Sequence, residues 1–256
     1  PAWGMMSNFN NTIWWFFYGG VPSAFLARYG LAPFFRTMGI FLDNTGLIDI
    51  GNWFASTIGT FIFGVILISL LIYIFSRGMR GFFRIQNVLI IFAIISTLLS
   101  ALVFIGKDQA AVMAAFNSFL GPISGNPDLA QYILDSAQEA GFTVEAFSLK
   151  NTLLPMTWIY LNLSFMSSSA YIGSEVKNAR RIQLWSMPVT LLVVGLGVLI
   201  TVLLVGKSAG YDFLGSLTWA DPAAMGLSST PLYTELASYL SNNIVIAFLI
   251  TFGFIF

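Results

Sequence analysis

The sequence predicts an all-α protein, a polytopic bundle of transmembrane helices, and three observations carry that prediction. Of 256 residues, 57% are hydrophobic and only 9% are charged, against roughly a quarter charged in an ordinary soluble domain. The apolar residues gather into charge-free runs of about 20, the length a helix needs to cross a hydrocarbon core about 30 Å thick. The bases and acids are also segregated along the chain, as loops on opposite sides of a membrane are. Cys and His are absent, which excludes disulfides, thiolate chemistry, haem ligation by imidazole and metal sites built from those residues. The chain starts at Pro1 and stops at Phe256 inside an apolar run, as expected of an internal piece of a longer protein forming one transmembrane domain over residues 1–256.

Six segments qualify as spans: about Met5 to Ala27, Phe54 to Ser76, Ile85 to Gly106, Thr152 to Ser174, Ile182 to Gly206 and Leu236 to Phe256. The short linkers between the second and third and between the fourth and fifth hold Arg77, Arg80, Arg84, Lys177, Arg180 and Arg181 against the single acid Glu175. Bases in short loops mark the cytoplasmic side, so Pro1 is expected there, in a cell membrane. The three longer loops carry Asp43, Asp49, Asp108, Asp128, Asp135, Glu139, Glu145, Asp212, Asp221 and Glu235 and are expected to face outward. In the second of them, Asn126-Pro127 followed by DLAQYILDSAQEAG predicts a capped helix with Pro at its first position and Gly141 past its end. Its apolar face, Leu129, Ile133 and Ala137 beside Tyr132, suits a surface helix or one folded over the bundle. Ala32 to Leu42 is apolar but too short to span, which suggests an interfacial or re-entrant segment.

In the first span, Asn8, Asn11, Trp15, Tyr18 and Pro22 share one helical face. Amides in hydrocarbon cost free energy unless paired, so this stripe either bonds a neighbouring helix or lines a hydrated path. The fourth span carries Asn162, Ser164, Ser167, Ser168 and Ser169. Hydroxyls compete with the helical ladder for backbone groups, which predicts an interruption near Leu163 to Ser168 with Phe165 or Met166 directed into a cavity; the alternative is a tight helix crossing. None of the six spans contains Asp, Glu, Lys or Arg, so no proton relay at depth is expected. A membrane enzyme would also lack its parts: there is no HExxH, no buried carboxylate pair and no glycine-rich phosphate loop. An enzyme, a bound cofactor and a nucleic-acid partner are therefore not expected.

The string SEVKNARR, Ser174 to Arg181, resembles the segment that closes the sixth helix in the amino acid-polyamine-organocation (APC) superfamily of permeases, and the opening PAWGMMSNFNNTIWW resembles the turn into their third helix. The Pro that follows Asn in the family is Ala179 here, and Phe165 or Met166 stands where the family often has Gly. The resemblance implies helices three to eight of a LeuT-like fold with two inverted repeats. It implies uptake or exchange of an amino acid or related amine-containing solute, with Na+ or H+ coupling open. By position it implies substrate contacts from Asn11, Trp15 and Tyr18 and from Ser164, Phe165, Met166 and Ser167. The competing expectation is a non-transport integral subunit of a larger membrane complex, which charge-free spans permit.

Overall fold

The computed structural model describes residues 20–144, 148–154, 156 and 178–255, with the backbone alone at 79, 80, 152, 179, 180 and 183. The described residues are helical throughout, with no strand among them. Among the described residues, three helices are long and apolar enough to cross a membrane: α4 (Thr57–Ser76), α5 (Met79–Phe104) and α9 (Ala179–Ala209). They are preceded by α1 (Gly20–Phe25), a π-helical turn π1 (Leu26–Leu31), α2 (Ala32–Phe41) and α3 (Thr45–Ala55). Between α5 and α9 lie α6 (Gln109–Ser124), α7 (Leu129–Glu139) and the short α8 (Leu149–Leu153). After α9 come α10 (Tyr211–Trp219), a 3-10 turn at Pro222–Met225, α11 (Tyr233–Ser241) and α12 (Ile244–Gly253).

Only 11%, 17% and 11% of the most apolar stretches of α4, α5 and α9 are buried within the structure. Water is a poor solvent for the isoleucines, leucines and valines these helices expose, such as Ile62, Ile66, Ile91, Leu98, Val198 and Val202, at about 25 cal/mol per Å² of apolar surface. Hydrocarbon is the solvent that fits them. The α4–α5 connection is a tight turn at Arg77 and Gly78, where φ is +101° and Gly is the residue that adopts it at no steric cost. Arg77 folds back on Tyr73, donating to its hydroxyl at 2.8 Å, and Arg84 and Arg181 are likewise exposed at this end.

The hydrophobic core lies mainly at the other end, in segments most of which hydropathy assigns to loops. Phe116 and Leu120 of α6, Leu129 and Ile133 of α7, Phe213 and Leu217 of α10 and Leu236 of α11 are buried together with Phe104 at the end of α5. We refer to this assembly, with α2 and α3 at its side, as the cap. Phe116 meets Phe213 edge-on at 5.4 Å, and Phe119 stacks on Tyr239 at 5.2 Å. The expected helix after Asn126-Pro127 is present as α7, folded over the bundle with Leu129, Ile133 and Ala137 buried and Tyr132 exposed. It begins two residues past Pro127, and the Asn117 side chain of α6 accepts the Ala130 N–H at 2.7 Å, satisfying one of the amides a helix start leaves free. Its end is a Schellman motif, in which Gly141 N–H bonds Gln138 O and Phe142 N–H bonds Ala137 O.

Two expectations are corrected. Ala32 to Leu42 is not a separate short segment: it continues the helix from Gly20 through π1, where Ala32 N–H bonds Ala27 O five residues back. A Pro ring clashes with the carbonyl four residues before it in a regular helix, and the widened turn carries the chain past Pro33. The segment expected as one span from Leu236 to Phe256 is two helices, α11 and α12, divided at Asn242 and Asn243. Asn242 takes a left-handed conformation (φ 45°), and Asn243 Oδ1 caps α12 by accepting from Val245 and Ile246 N–H. From this break α12 runs down α5: Ser96 Oγ bonds Ile250 O, and Gly253 rests against Phe92 and Ser96. Phe92 lies 12 residues before the end of α5, about 18 Å along its axis.

Candidate functional site: a buried charge pair where cap and spans meet

Arg36 and Glu235 are both fully buried and form an ion pair, Nη2 to Oε2 at 2.9 Å. Arg36 comes from the middle of α2, whose other side packs on α12 through Phe34, with Phe248 and Phe252 edge-on at 5.7 and 5.9 Å. Glu235 sits in the first turn of α11, where Oε2 also accepts the Leu232 N–H at 2.9 Å. A carboxylate is favoured there, because the first turn presents unpaired amides and the positive end of the helix dipole. Arg36 Nη1 donates to Ser229 Oγ at 2.6 Å and to Ser229 O at 3.1 Å. One guanidinium thus joins α2 to both α11 and the loop before it, across 193 to 199 residues of sequence.

The guanidinium fits there because glycines let α3 approach. A Cβ on Gly51 of α3 would stand 2.6 Å from Arg36 Cγ and 2.8 Å from Ala32 O, and a Cβ on Gly39 of α2 would stand 2.7 Å from Ile48 Cγ1. Around the pair, five buried polar atoms have no hydrogen-bond partner among the described residues: Arg36 Nε, Glu235 Oε1, Thr37 Oγ1, Thr234 Oγ1 and Tyr239 Oη. Thr37 stands beside Tyr239, so the pair is surrounded by further polar side chains inside the packed cap. Arg36 stands five residues past π1 and Glu235 seven before Asn242, while Gly30 of π1 lies against Ile255 just beyond α12, far from that break.

Asn11, Trp15, Tyr18, Ser164, Phe165, Met166 and Ser167 lie outside the described residues, as does the interruption expected near Leu163 to Ser168. The charge pair was not anticipated from sequence. Glu235 is expected in an outward-facing loop and Arg36 falls in the short apolar segment Ala32 to Leu42, yet neither side chain reaches solvent. A local signal did exist for Glu235: Pro231-Leu232 followed three residues later by Glu is the pattern of a helix start. Nothing local marks Arg36 as its partner. No family model matches the chain, and neither a curated protein nor a solved structure matches it.

Proposed function

We propose that the chain belongs to a secondary active transporter, a permease that moves an amino acid or related amine-containing solute across a cell membrane by alternating access. The observation that carries the proposal is that two helical segments packed side by side, α1–π1–α2 and α11–α12, are each interrupted, by π1 and at Asn242–Asn243, and share a buried charge pair in an otherwise apolar bundle. A protein whose task is only to fill a membrane gains nothing from breaking two neighbouring helices. Transporters gain a site from it, because interrupted backbone turns amides and carbonyls toward an internal path. π-Helical turns favour the same kind of place. The amine-containing substrate class rests on the resemblance of Ser174 to Arg181 to the APC superfamily, and the substrate contacts proposed from it are Asn11, Trp15, Tyr18, Ser164, Phe165, Met166 and Ser167. The bilayer and the solute are the partners this function requires.

The test is uptake of labelled amino acids and amines into proteoliposomes carrying the purified protein. Saturable uptake is expected, weakened by Trp15→Ala and by Ser167→Ala. Absence of saturable uptake for every amino acid and amine tried would overturn the proposal and favour the integral-subunit alternative.

A further inference from the structure

A groove of about 560 Å³ opens beside the α5–α9 pair, lined by Thr97, by Val198 to Gly206 along one stripe of α9, by Tyr211 and Leu214, and by Tyr233 and Phe254. Its α9 wall is the i, i+3, i+4, i+7, i+8 face. That wall passes from exposed Val198 and Val202, 55% and 54% accessible, to buried Val205. The groove is therefore continuous with the apolar surface of a membrane-crossing helix. Its two threonines offer no free donor, because Thr97 Oγ1 donates to Ala93 O and Thr201 Oγ1 to Gly197 O, each at 2.9 Å. At the cap end the Tyr211 ring lies directly over Gly206, whose Cβ would meet its Cζ and Oη at 2.7 Å, and Lys207 is exposed one residue along. Tyr233 flanks Phe254 farther down the groove, with its hydroxyl engaged by Ser100.

We propose that this groove holds one acyl chain of a membrane phospholipid, with its ester region at the Tyr211 phenol and its headgroup phosphate within reach of Lys207. With Thr97, Thr201 and Tyr233 engaged within the protein, the groove offers a polar partner at the end where the spans reach the cap and apolar surface along the rest, which is the polarity profile of a lipid tail entering from the bilayer. A polar solute finds no partner along the apolar length. Lipid tails are as apolar outside the groove as in it. Retention is therefore set by shape and by the hydrogen bond of an ester carbonyl, and the Tyr211 phenol matters as much as the valines. Transport does not enter into it, so failure of the permease proposal would leave it standing.

The experiment places the protein in bilayer nanodiscs doped with a phosphatidylcholine bearing a diazirine midway along one acyl chain, irradiates, and maps the adducts by peptide mass spectrometry. Adducts are expected to concentrate on Val198 to Gly206 and Phe254 relative to α4. Val202→Trp, which fills the groove, abolishes that concentration, while Leu203→Trp on the next exposed face of α9 leaves it. Tyr211→Phe keeps the shape and reduces it. Equal labelling of α4 and α9, as for annular lipid, or a concentration that survives Val202→Trp in a folded protein, would overturn the proposal.

Discussion

Arg36 and Glu235 make the most consequential pair of residues in the chain, and the energetics of that pair are lopsided. Bringing both charges out of water is expensive, and a well-packed apolar pair of similar volume is often no worse. Removing one partner is another matter, because the remaining charge is buried with nothing to balance it, at a cost of about 3–5 kcal/mol. Glu235→Gln keeps an oxygen to accept the Leu232 N–H and removes only the charge. A loss of that size is expected, seen as a lower midpoint of thermal unfolding in detergent. Arg36→Met combined with Glu235→Leu is expected to recover most of it. Equal stability of Glu235→Gln and the parent would mean that the charge of Glu235 contributes nothing to holding the cap. The sequence shows why this pair was hard to find. Its members are 199 residues apart, and a lone Arg within an 11-residue apolar stretch looks the same in a solvated turn as in a sealed core. Only the close approach of α3 at Gly51 encloses it, and that is a property of tertiary packing.

At the level of elements, what separates the legible from the hidden is length. α4, α5 and α9 are each 20 residues or more, so their hydropathy rises above any local exception, and the sequence places all three to within a few residues. The cap helices are short, from 9 to 16 residues, and half-buried, so their apolar residues are too few for a span and α7 alone advertises itself by its caps. The Asn242–Asn243 break was hidden for the opposite reason, since two amides barely lower the average of the apolar run around them. The two asparagines act differently and can be separated. Asn243 supplies a cap with two acceptor contacts, and Asn243→Ala is expected to cost about 1 kcal/mol. Asn242 holds a left-handed backbone that Gly adopts without strain, so Asn242→Gly is expected to leave stability unchanged or slightly raise it. Thermal unfolding of both variants against the parent checks the contrast. A destabilising Asn242→Gly beside a neutral Asn243→Ala would show that the break is held by the first amide's side chain rather than by the cap.

For the whole molecule, the segregation of charge seen along the chain becomes a separation in space. The α4–α5 turn and the start of α9 expose Arg77, Arg84 and Arg181 at one end. The loops that carry most of the acids fold together as the cap at the other, joined by Arg36–Glu235, by Asn52 to Ser228 and by Gln109 to Asp212. Both ends are the ends of the same apolar helices, so a bilayer crossing α4, α5 and α9 must place them on opposite sides. Because short basic linkers stay in the cytoplasm as a rule, we propose that the cap faces outward. The natural chain has no cysteine, so single cysteines report topology without background. Ser76→Cys marks the basic end and Ser118→Cys the exposed side of α6 in the cap. In right-side-out vesicles a membrane-impermeant maleimide is expected to label Ser118→Cys at once and Ser76→Cys only after permeabilisation. The reverse pattern would keep the bundle and invert it, making the basic linkers an exception to the charge rule. Labelling of both positions from one side would mean that cap and basic end share a compartment, and the three helices could not all cross the membrane as single spans.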